Sequence, residues 1–180
     1  MIFYRHPTPD AAPGLCYGRW NIGLAKSAAA EITSACAAPP AFRYIVSSPS
    51  WRATQLAEAL AAATGVSLET DERLMEMNFG RWEGEFWSDI DRDESDPWAE
   101  DPWTLAPPRG ESYSMVHSRI GAVLLEAPPG GCFITHAGPI RAAMMIQHGL
   151  SFAEAFANPV PFATPIDLTL RDDPDRGADA

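Results

Sequence analysis

Charged and polar side chains follow three short apolar segments, at the points where predicted strands end. The three places are Arg5-His6, Ser48 to Arg52, and His136 to Arg141. In open α/β sheets, ligands bind just outside the carboxyl ends of the strands. If the three strands are parallel neighbours, these side chains converge on one crevice.

Two of the predicted helices carry an arginine where the helix dipole disfavours a cation. A helix that starts at Ser48-Pro49 places Arg52 in its first turn. A helix that starts at Gly138-Pro139 does the same for Arg141. Helix N-termini prefer anions, so a cation there becomes favourable when an anion also binds. The pattern predicts a phosphate-like ligand held by backbone N–H groups, guanidinium groups and imidazole.

Apolar runs alternate with helical patterns along the chain, which predicts an α/β protein. We expect a three-layer sandwich with a mostly parallel central sheet and helices on both faces. The predicted strands are Ile2 to Tyr4, Tyr44 to Val46, Val66 to Glu69, Cys132 to Thr135 and Ile166 to Leu170. The predicted helices are Ala25 to Cys36, Trp51 to Ala63, Ser112 to Glu126 and Pro139 to His148.

The length of 180 residues fits one domain, which we expect to span 1–171, with a frayed polar tail at 172–180. Residues 83–110 interrupt the pattern with tryptophans among acidic residues and prolines. We expect an irregular excursion over the active site, partly helical from Glu83 to Ile90. Its tryptophans either pack within the excursion, which we favour, or form a lid that stacks on an aromatic base.

The composition limits the partners and the compartment. The formal net charge is −11, and the resulting field repels nucleic acid and anionic membranes. No apolar run is long enough to span a membrane, and the first residues lack a signal-peptide pattern. Three scattered cysteines, Cys16, Cys36 and Cys132, predict reduced thiols. We expect a cytoplasmic protein that binds neither nucleic acid nor membranes; its oligomeric state stays open.

Four motifs together resemble the histidine phosphatase superfamily, whose fold is phosphoglycerate mutase-like. In chain order they are Arg5-His6, Ser48-Pro49-x-x-Arg52, Leu74-x-Glu76 before Phe79-Gly80-x-Trp82-Glu83-Gly84, and Thr135-His136-Ala137-Gly138-x-Ile140-Arg141. This is the family's order, and the motifs cover most of the chain. Within the family, His6-Pro7 with the later Gly14-Leu15-Cys16-Tyr17-Gly18-Arg19 is similar to the α-ribazole phosphatase branch of cobalamin biosynthesis.

The resemblance implies hydrolysis of a phosphomonoester through a phosphohistidine, without a metal or a cofactor. His6 is then the nucleophile, and Glu76 protonates the leaving oxygen and later deprotonates the attacking water. Arg5, Arg52 and a protonated His136 hold the phosphoryl oxygens, since guanidinium groups match phosphate geometry. We expect the two arginines to depress the pKa of His6, so that a neutral imidazole attacks.

Further positions are candidate substrate contacts or depart from the family pattern. The candidate contacts are Cys16, Gly18, Arg19 and Ala137. Pro7 stands where most relatives have glycine, and Asn21 stands where an aspartate is frequent. Glu111-Ser112 resembles a glycine-glutamate-serine turn of the family, but we favour a plain helix start capped by Ser112.

The expected ligand is a small-molecule phosphomonoester, and we favour α-ribazole 5′-phosphate. A broad-specificity metabolite phosphatase and a phosphoglycerate mutase are the enzymatic alternatives. The chain lacks the extra length of glycolytic mutases, which favours a phosphatase. A phosphate-ligand binding module on the same fold is the non-enzymatic alternative, and the required residue type at each catalytic position disfavours it.

Overall fold

The computed structural model describes residues 1–169, which form a five-stranded sheet with helices on both faces. The strands are β1 (Ile2–Arg5), β2 (Tyr44–Ser47), β3 (Ser67–Thr70), β4 (Gly131–Thr135) and β5 (Pro165–Asp167). The helices are α1 (Ala28–Ala37), α2 (Trp51–Thr64), α3 (Arg92–Glu100), α4 (Tyr113–Glu126), α5 (Ala137–His148) and α6 (Phe152–Ala157). Two 3-10 turns, Glu72–Leu74 and Gly80–Trp82, lie between β3 and α3.

The strand order is β3-β2-β4-β1-β5. Strands β1, β2, β3 and β4 run parallel, and β5 pairs antiparallel with β1. Because β1 and β2 flank β4, the residues that follow these three strands meet at one edge of the sheet. The predicted, mostly parallel sheet is confirmed, and so is the convergence of the three strand ends.

Alternate side chains of the strands enter two separate cores. Phe3 and Phe133 stack on each other in the core that α4 and α5 cover. Tyr4 and Ile134 enter the opposite core, which α1 and α2 cover. The sheet is therefore the middle of three layers, as predicted from the sequence.

Some element boundaries differ from the prediction. Helix α2 begins at Trp51 with Ser50 as the N-cap, so Arg52 stays in its first turn. Helix α5 begins at Ala137, two residues earlier than predicted, so Arg141 lies just beyond its first turn. Prolines tolerate several positions around a helix start, since the first N–H groups have no intrahelical partner. Helix α1 starts three residues later than predicted.

The predicted helix from Glu83 to Ile90 is wrong, since these residues form turns. Their backbone bonds to the loop after β1: Trp87 N–H donates to Gly14 O at 2.9 Å, and Cys16 N–H donates to Glu85 O at 2.9 Å. The helix of this segment is α3, capped by Asp91. Hydrogen bonds to a distant loop therefore override the local helical pattern.

Two tryptophans of the excursion, Trp87 and Trp98, pack against each other and against Phe79 and Trp82, whereas Trp103 packs against Tyr113, His117 and Phe152. Rings of Phe79, Trp82, Trp87 and Trp98 lie with centroids 5.4 to 6.2 Å apart. Packing within the excursion thus holds for Trp87 and Trp98 and not for Trp103.

Helix α6 and the chain end complete the comparison with the prediction. The patterns did not predict α6, whose six residues are too few to show a period. It starts with a capping box between Ser151 and Glu154. Strand β5 ends at Asp167, and Leu170 and the predicted tail lie outside the described residues.

Among residues 1–169, no helix has the length and apolar character that a membrane crossing requires.

Candidate active site

His6 lies directly after β1, and a backbone carbonyl fixes its ring. Nδ1 lies 2.7 Å from the carbonyl oxygen of Pro7. Because a carbonyl oxygen only accepts, Nδ1 carries the proton, and Nε2 of the neutral ring carries the lone pair. Within residues 1–169, the side-chain hydrogen bond of His6 is the one at Nδ1. The ring therefore offers a nitrogen nucleophile.

The surroundings of His6 keep its ring neutral. Burial is the largest cause that holds the pKa of His6 well below its usual value. The charges of Arg52 and Arg5 act in the same direction, as expected, and the hydrogen bond to Pro7 opposes them in part. The sequence did not reveal that burial outweighs the two arginines.

Arg52 is fully buried and ties the loop after β1 to α2. Its terminal nitrogens donate to Trp20 O at 2.9 Å, to Gly18 O at 2.6 Å and to His136 Nδ1 at 3.1 Å. Its Nε has no partner, and among residues 1–169 no carboxylate pairs with it. A buried charge without a counter-charge is costly, which favours an anionic ligand here.

His136 is the N-cap of α5, directly after β4, and its ring centroid lies 5.0 Å from that of His6. Because Nδ1 accepts from Arg52, Nε2 carries the proton and donates to Ser48 Oγ at 2.9 Å. Burial, His6 and Arg52 hold the pKa of His136 well below its usual value. His136 is therefore neutral in the protein without ligand. A bound phosphate would act in the opposite direction, and the protonated His136 expected in that complex stays a prediction.

Arg5 is the last residue of β1 and points toward the segment that precedes β5. Its guanidinium donates to Val160 O at 3.0 Å and lies 3.7 Å from the ring centroid of Phe162. Its Nε is buried without a partner. The ring of His6 lies 5.6 Å from the same phenylalanine. The side chains of both Arg5 and His6 therefore lie against Phe162.

Glu76 lies against the first turn of α5. Its Oε1 accepts from the N–H of Met77 at 2.9 Å, and its Oε2 accepts from the N–H of Gly138 at 3.3 Å. A Cβ at position 138 would lie 2.3 Å from Oε1, so only glycine allows this approach. The expected acid thus lies next to the residues that follow His136.

Glu111 joins the loops around Glu76. Its carboxylate accepts from Arg19 at 3.0 Å, from Arg119 at 3.2 Å and from the N–H of Asn78 at 2.9 Å. The same two arginines donate to the backbone oxygen of Glu76, at 3.0 and 3.2 Å. Glu111 therefore fixes the position of the Glu76 backbone through two guanidinium groups.

Sequence reasoning missed Glu111 because it favoured a helix start capped by Ser112. Ser112 does precede α4, but its side chain makes no cap hydrogen bond and instead contacts Ser114 Oγ at 2.8 Å. The resemblance to a glycine-glutamate-serine turn was the signal that could have found Glu111.

The four candidate substrate contacts have different surroundings. Cys16 is buried against Trp82, and burial raises the pKa of its thiol to about 12. Gly18 accepts from Arg52 through its carbonyl oxygen, and the guanidinium of Arg19 binds Glu111 and Glu76. The structure thus gives these three residues contacts with protein groups. Ala137 lines a cavity beside Glu76.

This cavity has a volume of about 320 Å³ and opens beside Glu76 and the start of α5. Its walls are largely aromatic and comprise Phe79, Trp98, Tyr113, Phe152 and Phe156, with Arg141 as the cation. We call it the Glu76 cavity. A larger crevice, about 390 Å³, lies between β2, β3 and α4 and contains none of the predicted site residues. Within residues 1–169, no three His, Cys, Asp or Glu side chains group as metal ligands would.

A family model for the histidine phosphatase superfamily (branch 1) matches residues 1–173. The chain belongs to this superfamily. The resemblance inferred from the four motifs is therefore confirmed. The roles expected for the histidines, arginines and glutamate of the four motifs in this histidine phosphatase stay predictions.

Individual relatives of this histidine phosphatase are phosphatases. The chain is 30% identical over 113 residues to putative phosphoserine phosphatase 2 of Hydrogenobacter thermophilus, a match over 59% of this chain and 56% of that protein. The match thus spans little more than half of the relative's length. A mycobacterial glucosyl-3-phosphoglycerate phosphatase structure is 25% identical, with a TM-score of 0.73 over 90% of this chain and 85% of that one.

The α-ribazole phosphatase of Shigella flexneri has a similar fold. Its structure has a TM-score of 0.81 over 91% of this chain and 87% of that one, at 19% identity. At this identity the likeness shows the fold alone. The family match and the phosphatase relatives together support a phosphatase enzyme.

Proposed function

We propose that this histidine phosphatase hydrolyses small phosphomonoesters through a phosphohistidine on His6. The observation that carries the proposal is the hydrogen bond from Nδ1 of His6 to Pro7 O, at 2.7 Å. It leaves the lone pair on Nε2, and burial keeps the ring neutral. A neutral imidazole with its lone pair fixed in place is a competent nucleophile.

Glu76 serves both steps of the proposed reaction. In the first step, Nε2 of His6 attacks phosphorus, the bond to the ester oxygen breaks, and the carboxyl of Glu76 gives its proton to that oxygen. In the second step, water attacks the phosphohistidine, the P–N bond breaks, and the carboxylate of Glu76 takes a proton from the water. Inorganic phosphate leaves, and the enzyme returns to its starting state.

Positive groups hold the phosphoryl oxygens in both steps. Arg52 and Arg5 each have a buried Nε without a partner in the described protein. Fixed cations in a buried site stabilise the charge that develops on the transferring group. The positive end of the α5 helix dipole, which lies directly after His136, acts in the same direction.

Phosphoryl labelling tests the mechanism. We expect an acid-labile phosphoryl adduct on the wild-type protein and metal-independent hydrolysis of p-nitrophenyl phosphate, with both lost in His6→Ala. His148→Ala, at an exposed helix end, is the matched control, and we expect it to retain both the adduct and the hydrolysis. Equal hydrolysis by wild type and His6→Ala rejects the mechanism, and ligand binding without an adduct indicates a binding module.

The candidate substrate that the sequence resemblance supplies is α-ribazole 5′-phosphate, for a cytoplasmic role in cobalamin biosynthesis. The aromatic walls of the Glu76 cavity support it, since a planar base stacks on such rings. The test compares α-ribazole 5′-phosphate with 3-phosphoglycerate, phosphoserine and p-nitrophenyl phosphate. A preference of at least about tenfold in kcat/KM, or about 1.4 kcal/mol, supports this substrate. Transfer to a second hydroxyl instead of water would indicate a mutase.

A further inference from the structure

The Glu76 cavity contains a positive charge that the proposed chemistry at His6 does not use. Arg141 lies on α5, one turn beyond Ala137 and Gly138, and lines the cavity with them. Its guanidinium carbon lies 4.9 Å from the ring centroid of Phe156. The arginine therefore faces the space beside Glu76 rather than the ring of His6.

Arg141 has no anionic partner in the described part of the chain. Its Nε is buried and makes no hydrogen bond. None of the ion pairs within residues 1–169 involves it. By contrast, Arg19 and Arg119 share Glu111, and Arg73 pairs with Asp71. Arg141 is thus a half-buried cation left without a counter-charge.

The walls around Arg141 make this lack of a counter-charge costly. Phe79, Trp98 and Phe152 present aromatic carbon to the cavity, and burial lowers the pKa of Arg141. Stacking on Phe156 offsets part of the cost of removing a guanidinium from water. A ligand anion would offset the remaining cost, because a guanidinium group binds a carboxylate through paired, charge-assisted hydrogen bonds.

We infer that Arg141 recognises a carboxylate on the leaving group of the phosphomonoester, while the aromatic walls of the Glu76 cavity hold its apolar part. The inference rests on the proposed function, in which Glu76 protonates the leaving oxygen. The group bound to that oxygen then lies in the cavity beside Glu76. Of the candidate substrates, phosphoserine and 3-phosphoglycerate carry such a carboxylate, whereas α-ribazole 5′-phosphate would bind through the aromatic walls alone.

A matched pair of esters tests the inference. The pair is 3-carboxyphenyl phosphate and its uncharged isostere, 3-carbamoylphenyl phosphate. We expect the wild type to prefer the carboxylate ester about tenfold in kcat/KM, the usual size of one charge-assisted contact. Arg141→Met removes this preference and leaves turnover of the carbamoyl ester within about threefold of the wild type.

Arg92→Met is the matched control, because it removes an arginine from an exposed pair with Asp96 on α3. It keeps the wild-type preference. If the wild type shows no preference between the esters, the inference is wrong. It is also wrong if Arg141→Met lowers kcat/KM equally for both esters. A loss that affects both esters alike would indicate a structural role for Arg141.

Binding of non-hydrolysable analogues separates this inference from the proposed function. Calorimetry compares 3-carboxybenzylphosphonate with 3-carbamoylbenzylphosphonate on wild type and Arg141→Met. A carboxylate preference that depends on Arg141, without hydrolysis of any ester, keeps the inference and rejects the phosphatase. Hydrolysis of both esters without such a preference rejects the inference and keeps the phosphatase.

Discussion

At the scale of single residues, the contact between Glu76 and Gly138 sets the position of the proposed acid. A methyl group at position 138 would lie 2.3 Å from Oε1, so Gly138→Ala must displace the carboxyl group. We expect this variant to lower kcat at least about tenfold for an alkyl phosphate, whose leaving oxygen needs a proton. The loss for p-nitrophenyl phosphate should be smaller, since its leaving group departs as an anion.

Steady-state kinetics on the two esters checks this prediction. Gly23→Ala is the control, because a Cβ at residue 23 meets no atom within 4 Å. A loss of the same size on both esters would show that Gly138→Ala disturbs the site as a whole and not proton transfer.

Residue types could be predicted from the sequence, but protonation could not. His6, Arg52 and His136 each follow a strand, so short motifs were enough to find them. The tautomer and charge of His136 depend on Arg52, 84 positions away in the chain, and on complete burial. No local pattern contains those two conditions, which is why the sequence did not indicate a neutral His136 in the protein without ligand.

At the scale of elements, Glu111 connects the loop after β1, the loop that carries Glu76, and α4. Glu111→Gln removes the charge that Arg19 and Arg119 share, and the side chain of Arg119 is only 13% exposed. Loss of one partner from such a pair costs about 3 kcal/mol. We expect that decrease in the free energy of unfolding, together with a lower kcat, because the Glu76 backbone loses its support.

Urea unfolding and kinetics on Glu111→Gln measure both effects. Arg81→Gln breaks the exposed pair with Glu94 and should cost less than about 1 kcal/mol. Glu111→Asp, which restores the charge, should recover part of kcat. Full activity of Glu111→Gln with reduced stability would limit Glu111 to a structural role.

Elements with a clear period could be predicted, and those fixed by distant contacts could not. The central strands and α2, α4 and α5 follow apolar patterns in the sequence. Residues 83–90 lack a helix because Trp87 and Glu85 bond to the loop after β1. Helix α6 depends on packing of Phe152 and Phe156 against Tyr113, with centroids 5.1 Å away in both cases.

At the scale of the whole molecule, the buried histidines make stability depend on pH. The folded-state pKa values of His6 and His136 lie well below the value of about 6.5 in an unfolded chain. Below that pH the unfolded chain binds protons that the folded protein excludes, so stability falls as the pH falls. We expect a loss of about 1.4 kcal/mol per histidine for each pH unit below about 6.5.

Urea unfolding at about pH 7.5 and about pH 5.5 measures this loss. His117, partly buried, acts in the same direction. Asp71 titrates below this range of pH, because its hydrogen bond with Arg73 lowers its pKa. His136→Asn should show a clearly smaller difference between the two pH values; an unchanged difference would contradict the assignment to the buried histidines.

Strand β1 carries the proposed nucleophile, yet both of its neighbours come late in the chain. Ile2 pairs with Cys132 of β4 and with Asp167 of β5. During synthesis, Arg5 and His6 leave the ribosome long before either partner exists, and such distant pairings form slowly. A nascent chain that ends before residue 131 therefore contains His6 but has neither of the two strands that flank β1 in the sheet.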